Sequence, residues 1–228
     1  TPWLLGLLAF VATASAAQPC RIEIIEKGDG WPVPGVELRT IHGARFVSDN
    51  AGLIAFDLPE LMGRETWFTV HGHGYGVKAD GFGYAGVRLT PTPGQTLKVT
   101  VERTILARRL GRLTGAGLFA ESQKLGEQLD WKESGVLGSD SVVTAELGGK
   151  LLWFWGDTNL AHYPLGIFNV SATSTDKFTP PAKPPLRPPY AYVSEKKTAQ
   201  SELRPRGVAK VPGEGPTWIW GAITLPDA

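Results

Sequence analysis

The sequence is poor in the residues that most often bind metals or form disulfides. It has one cysteine, Cys20, and four histidines among 228 residues. A lone cysteine cannot form an internal disulfide, so it gives no information about the redox compartment. His71 and His73 would share one face of a strand, but no third ligand can be assigned, and the glycines around them indicate a turn. We therefore predict no metal site and no cofactor.

An excess of charge of one sign is also missing. The chain has 23 lysines and arginines against 22 acidic residues, a formal net charge of +1. This balance gives no electrostatic argument for a polyanionic partner. We expect no nucleic acid among the partners of this protein.

No apolar run in the sequence is long enough to predict a membrane-spanning helix. Residues 3–12, "WLLGLLAFVA", fall short of the about 20 apolar residues that such a helix needs. Residues 14–16, "ASA", follow as a small-x-small cleavage pattern, so residues 1–17 are predicted to be a signal peptide whose charged start is missing. We expect a secreted or periplasmic protein with no membrane span after signal removal. Because the chain starts at Thr1 and ends in "WIWGAITLPDA", we also expect a fragment of a longer protein.

Glycine, proline and tryptophan are abundant, with 28, 18 and 8 residues respectively. This composition, with short aromatic segments, favours an all-β chain rich in turns. Short strand and turn patterns follow one another from Arg21 to Arg103. The clearest strand is "LKVTVE", in which Leu97, Val99 and Val101 point to one side. The density of strands is typical of a small β-sandwich.

Three segments of this region carry a family pattern: "PVPGVELRT", "VSDNAGLIAFDL" and "FTVHGHGYG". Their order resembles the carboxypeptidase regulatory-like, or transthyretin-like, sandwich family. The resemblance implies a β-sandwich over residues 20–104. Modules of this family are usually accessory domains that act as spacers or bind weakly.

Residues 105–116 have the apolar spacing of a short helix. Thr104 can cap its start, and Gly115 or Gly117 can end it. We predict a helical linker between two domains, with its arginines on a solvated face. Farther along, the proline-rich residues 179–189 are expected to be an extended surface excursion, and "GPTWIWGAITL" a further strand.

The segments "SVVTAEL" and "KLLWFWG" flank Gly148-Gly149, which is a strong hairpin pattern because tight turns need positive φ. Counting outward from the turn places Asp140 opposite Asp157. Opposed residues of an antiparallel pair have Cβ atoms about 5 Å apart and point to the same face. Two carboxylates this close raise the pKa of one of them, as a general acid and a general base require.

Aromatic residues beside a carboxylate pair are typical of glycoside hydrolysis, because sugar rings stack on aromatic faces. Trp155, His162 and Tyr163 are therefore the predicted sugar contacts. The alternative interpretation is structural: an aspartate at the end of a strand often caps a turn, and strands rich in tryptophan usually belong to a core.

The segments "VLGSDSVVTAEL", "KLLWFWGDTNL" and "YPLGIFNVSATS" resemble the first blade of a five-bladed β-propeller of arabinanase-type, family-43-like glycoside hydrolases. They also resemble secreted bacterial proteins in which this propeller follows a small sandwich. The resemblance implies a partial β-propeller over residues 117–228. It also implies that Asp140 is the catalytic base, with Asp157 as a neighbour that tunes or orients it. In these enzymes the pKa-setting aspartate and the acid glutamate come from later blades, which this chain does not contain.

We therefore predict an all-β protein, a small β-sandwich followed by a truncated β-propeller, joined by a short helix. Its expected function is that of a secreted carbohydrate-active protein, a glycoside hydrolase acting on polysaccharide or oligosaccharide. A non-catalytic carbohydrate-binding or cell-surface protein is the alternative, and a structural protein without a ligand is a third reading. The sequence leaves open whether the chain is an enzyme, and also the sugar, the linkage and the stereochemistry.

Overall fold

A computed structural model describes residues 18–115, 117–131, 134–161, 163–177, 183–195 and 204–225. The fold is all-β, as predicted. The predicted signal peptide, residues 1–17, lies outside the described residues. No helix in the described part of the chain is long and apolar enough to cross a membrane.

The first unit is a nearly closed, barrel-like sheet of eight strands. They are β1 Cys20–Glu26, β2 Val36–Thr40, β3 Arg45–Val47, β4 Leu53–Phe56, β5 Thr66–Gly72, β6 Tyr75–Gly76, β7 Gly86–Leu89 and β8 Thr96–Arg103. Their order in the sheet is β3-β2-β5-β6-β8-β1-β4, with β7 paired to β5. Strand β1 runs parallel to β8 and antiparallel to β4.

Alternation of side chains builds the core of this unit. Along β1 and along β2 the side chains are alternately buried and half-buried. Of the predicted inward set on β8, Val99 and Val101 are buried and Leu97 packs against the core from its edge. Phe56 lies at the centre, with its ring centroid 4.8 Å from that of Phe46 and 5.7 Å from that of Phe68. The sequence pattern of β8 therefore predicted correctly which side of this strand faces inward.

The predicted helical linker over residues 105–116 is wrong, because residues 105–115 contain no helix. Their polar groups instead bond to the first unit. The main-chain N–H of Arg109 donates to the Tyr75 hydroxyl at 3.0 Å, and that of Arg112 donates to Asn50 Oδ1 at 2.8 Å. Arg108 pairs with buried Glu26 at 3.0 Å, so the arginines do not form a purely solvated face.

The one α-helix in the described ranges, α1 Ala120–Lys124, comes after the predicted linker. It is anchored to the first unit by Asp49, whose Oδ2 accepts bonds from the Ser122 N–H at 2.7 Å and from its hydroxyl at 2.6 Å. The Ala55 N–H donates to Glu121 at 2.9 Å. The chain between the two β regions is thus bound along the surface of the first sheet.

The strands of the second unit are β9 Val136–Ser139, β10 Val142–Leu147, β11 Lys150–Trp155, β12 Thr158–Leu160, β13 Tyr163–Ile167, β14 Ser171–Asp176, β15 Ala191–Tyr192, β16 Ser194–Glu195 and β17 Arg204–Pro205. They form a four-stranded antiparallel sheet of order β10-β11-β14-β15, a three-stranded sheet of order β13-β12-β9 and the β16-β17 pair. Four-stranded antiparallel sheets are the units of propeller blades, and they also occur in other all-β folds.

The strand predicted in "GPTWIWGAITL" does not form, since residues 215–225 join no sheet in the structure. This segment is held by isolated bonds, including one from the Val170 N–H to the Thr217 carbonyl at 3.2 Å. Trp220 is 92 % exposed and Ile223 is 83 % exposed. An alternating apolar pattern does not form a strand where no neighbouring strand supplies backbone hydrogen bonds.

Candidate functional site

The hairpin register is the predicted one. Leu147 pairs with Lys150, and Val142 pairs with Trp155. Gly148 and Gly149 occupy the turn with φ of 56° and 78°, the conformation that a two-residue hairpin loop requires.

Asp140 and Asp157 lie opposite each other where both arms of the hairpin bend from one sheet into the next. The Asp140 N–H donates to the Asp157 carbonyl at 2.8 Å, and the Gly156 N–H donates to the Asp140 carbonyl at 3.1 Å. The same register continues beyond the bend, where Ser139 pairs with Thr158. The structure therefore brings the two predicted acids together, and we call this place the acidic junction.

The two carboxylates have different local partners. Asp140 is exposed, and its Oδ1 accepts the Ser141 N–H at 2.7 Å. Asp157 is half-buried, and its Oδ1 accepts the indole N–H of Trp218 at 2.9 Å. Asp140 therefore caps its own bend, as the structural interpretation predicted, and keeps its second oxygen toward solvent.

The predicted sugar contact of Trp155 is wrong, because its side chain belongs to the core of the second unit. Trp155 is 3 % exposed, and its indole N–H donates to the Thr173 hydroxyl at 3.2 Å. The indole N–H of Trp153 likewise donates to the Thr175 hydroxyl at 3.0 Å. The two indoles stack with centroids 5.8 Å apart and planes at 6°. Alternation places both on one face, and that face is the packed one.

The other predicted sugar contacts have different outcomes. Tyr163 begins β13 opposite Leu160 and is 61 % exposed, so it remains free to meet a ligand. His162 lies outside the described residues.

Sequence reasoning missed Trp218 as a residue of the acidic junction. Its indole, 41 % exposed, meets Phe168 edge-on at 5.1 Å, and Phe168 is itself 52 % exposed. Trp218 lies 61 residues beyond Asp157. The alternating "WIW" was the available pattern, but it does not say which distant carboxylate the first indole meets.

Sequence reasoning also missed a cavity of about 450 Å³ lined by Trp131, Ser134, Tyr190 and Tyr192, with the Asp130–Arg187 ion pair. Its walls come from the linker, the chain after α1 and the residues before β15. The proline-rich segment predicted as a surface excursion contributes to it, and its Pro184 and Pro188 are buried. No single stretch of sequence carries a pattern for such a cavity.

In the described ranges, no group of three or more histidine, cysteine, aspartate or glutamate side chains is arranged so that it could hold a metal ion.

Comparisons with known proteins give no match. No family model, no curated protein and no solved structure is significantly similar to this chain.

Proposed function

We propose that this chain is an exported carbohydrate-active protein that contacts polysaccharide at the acidic junction. The observation that carries the proposal is the 41 % exposed indole of Trp218 bonded to Asp157, whose main chain is hydrogen-bonded to that of the exposed Asp140. Carboxylates accept hydrogen bonds from sugar hydroxyls, and aromatic rings pack against the C–H faces of sugar rings. Tyr163 and Phe168 add further exposed aromatic surface in this unit.

The geometry favours binding over hydrolysis as the primary function. The Asp157 carboxylate already holds Trp218, and Asp140 has one oxygen committed to its own bend. With one oxygen of each carboxylate held by the protein, both acids can accept hydrogen bonds from sugar hydroxyls, and this binding requires no proton transfer. The predicted first propeller blade is part of the same proposal, and the bends at the acidic junction would form the rim that meets the polysaccharide.

Hydrolysis is the second candidate, favoured by the exposure of Asp140 to water opposite a second acid. Asp140 would accept a proton from water as the water oxygen bonds to the anomeric carbon. The electron pair of the glycosidic bond would pass to the leaving oxygen, which needs a proton from an acid on another segment. The resemblance assigns that acid to later blades.

The proposal is tested with the variants Asp140→Asn and Asp157→Asn of the full chain. Affinity electrophoresis in gels containing arabinan, xylan or β-glucan measures binding, and release of reducing ends measures hydrolysis. Asp176→Asn is the matched control, because Asp176 is an exposed aspartate at the other end of the same sheet, paired with Lys150.

We expect at least one polysaccharide to retard the parent protein and the Asp176→Asn variant, and to retard both junction variants less. Loss of reducing-end release in Asp140→Asn with binding retained would assign hydrolysis. No retardation of the parent protein, or equal retardation of all variants, would overturn the proposed contact.

A further inference from the structure

Exposed apolar side chains of the first unit gather at one groove on its outer surface. Four large hydrophobic side chains are exposed within residues 18–104, and three of them line this groove: Ile41, Phe82 and Tyr84. They are 75 %, 90 % and 65 % exposed, respectively. Exposed apolar residues that share one concave surface, unlike scattered ones, indicate an interaction site. We call this place the aromatic groove; its volume of about 470 Å³ lies within the range of ligand sites.

One side of the aromatic groove is a tryptophan held against the sheet. Trp67 of β5 pairs with Arg88 of β7, and both lie on the outer face because the neighbouring Phe68 is buried. The indole lies across Gly86, where a Cβ would be 2.5 Å from its Cζ2, so glycine leaves room for the ring. The indole N–H donates to Thr69 Oγ1 at 3.3 Å. The ring therefore has a fixed position on the outer face.

The loop before β7 presents the other two rings. Asp80 Oδ1 accepts the N–H groups of Phe82 and Tyr84, each at 2.9 Å, and the Asp80 N–H donates to the Tyr84 carbonyl at 2.9 Å. These bonds fix the backbone that carries both aromatic residues. A ligand that packs against the rings need not order this loop first, which lowers the entropic cost of binding.

Two exposed charges in the aromatic groove have no ion-pair partner in the part of the chain that the structure describes. The Arg88 guanidinium lies 5.6 Å from the Trp67 ring centroid and keeps its N–H donors free. Asp80 uses Oδ1 for its loop and keeps Oδ2 as an acceptor. A guanidinium binds carboxylates through two parallel hydrogen bonds. The groove therefore suits a ligand that combines an anionic group with hydrogen-bond donors and an apolar face.

A uronate residue meets these three requirements within one sugar ring. Its C–H face can pack against aromatic side chains, its hydroxyls can donate to Asp80, and its carboxylate can accept from Arg88. An acidic peptide would need several residues to bring the same groups into about 470 Å³. The net charge of +1 gives no general attraction to polyanions, so recognition depends on this local cation.

We propose that the aromatic groove binds an acidic polysaccharide through its uronate residues. The groove lies on the first unit, and its binding does not rest on the function proposed for the acidic junction.

Affinity electrophoresis of the full chain tests this in gels containing polygalacturonate or alginate, with mobility taken relative to a polymer-free gel. Methyl-esterified polygalacturonate is the matched ligand, because it keeps the sugar ring and loses the charge. Poly-L-glutamate presents carboxylates on a peptide instead. Arg88→Gln removes the cation, and Phe82→Ala removes an exposed ring. Arg64→Gln is the matched control, since Arg64 is an exposed arginine just before β5 that does not line the groove.

We expect at least one polyuronate to retard the parent protein, with affinity about tenfold lower in Arg88→Gln and about fivefold lower in Phe82→Ala. The methyl ester should bind the parent about tenfold more weakly than the acid does. Arg64→Gln and the junction variants Asp140→Asn and Asp157→Asn should retain the parent affinity. Because the replaced side chains are exposed, the variants should fold, and thermal unfolding verifies this.

Three results would overturn the polysaccharide site. No retardation of the parent protein, or equal retardation of all variants, would remove the aromatic groove as a binding site. Loss of retardation only in the junction variants would do the same and leave the proposed function standing. Binding of poly-L-glutamate as tight as that of the polyuronates, and lost in Arg88→Gln, would identify an acidic peptide as the ligand.

Discussion

The main-chain N–H of Asp140 donates to the carbonyl oxygen of Asp157 at 2.8 Å, at the point where both arms of the hairpin bend. This bond keeps the two acidic residues opposite each other while the strands pass into a second sheet. The bend and the juxtaposition of the acids are therefore one structural feature.

Ser141 carries backbone strain at this bend. Its φ is 25°, on the positive side that non-glycine residues rarely adopt. We expect Ser141→Gly to raise the free energy of unfolding by about 0.5–1 kcal/mol, because glycine adopts positive φ without steric cost. Urea unfolding measures the change. The matched variant Ser174→Gly, within β14, should instead destabilise the protein. A loss of stability in Ser141→Gly would contradict the prediction that Ser141 carries backbone strain.

Trp218→Phe keeps an aromatic ring at the acidic junction and deletes the N–H that bonds to Asp157. We expect polysaccharide affinity to fall about fivefold, because the ring is no longer held in place and ordering one side chain on binding costs about 1 kcal/mol. Affinity electrophoresis measures it. Trp220→Phe is the control, because Trp220 is a 92 % exposed tryptophan of the same segment. Equal affinities for the two variants would remove Trp218 from the site.

Thr173→Val should destabilise the second unit by about 1–3 kcal/mol, because it leaves the buried indole N–H of Trp155 without its acceptor. Chemical unfolding followed by tryptophan fluorescence measures this. Polysaccharide binding by the folded variant should not change, since Trp155 is a core residue. Thr144→Val, at an exposed residue of β10, should leave stability within about 0.5 kcal/mol of the parent.

Asp49 links the first sheet to α1 through its carboxylate, which accepts bonds from the Ser122, Ala51 and Leu53 N–H groups. We expect Asp49→Asn to lower the free energy of unfolding by about 1–3 kcal/mol, because an amide replaces one acceptor oxygen with a donor. Urea unfolding measures the loss. Asp57→Asn, at an exposed aspartate, is the control and should change little.

The same residue predicts a pH dependence. Burial raises the pKa of Asp49 in the folded state above its unfolded value, although the donors around it oppose the shift. The folded state therefore binds the proton more tightly, and this contribution to stability is present at low pH and is lost as pH rises through the folded pKa. The stability advantage of the parent over Asp49→Asn should thus be larger near pH 3.5 than at pH 7. The opposite trend would contradict the raised pKa.

Gly115→Ala tests the extended course of the linker. Gly115 has a φ of 121°, and a Cβ there would lie 2.8 Å from the Leu137 carbonyl oxygen. We expect a loss of about 1–3 kcal/mol in unfolding free energy, because the new methyl group is strained and displaces β9. Gly117→Ala is the control, with a φ of 93° and no described atom within 4 Å of its Cβ. A gain in stability for Gly115→Ala would instead fit a helical linker.

The sequence predicted the all-β class, the inward face of β8, and the register that opposes Asp140 and Asp157. Each depends on local rules: alternation along a strand, and the positive φ that Gly148-Gly149 supplies to a tight turn. Such rules act over a few residues and hold wherever a strand forms.

In the linker, tertiary hydrogen bonds override the local helical pattern. Its apolar spacing is helical, but the N–H groups of Arg109 and Arg112 find acceptors on the first unit, so tertiary bonds replace the helical ones. Trp155 shows the same limit of local rules at the candidate site. Alternation predicted which side of the strand its side chain lies on, but not whether that side faces a ligand or the core.

By itself, then, the sequence determined the strand class, the hairpin and its opposed acids, because these depend on periodicity and on one turn. Only the tertiary structure decided that Trp155 is buried and that Trp218 reaches Asp157. Only the tertiary structure also decided that Trp131, Ser134 and Tyr190 surround one cavity. These relations join residues dozens of positions apart, and their free energies depend on packing and desolvation that exist only once the chain has folded.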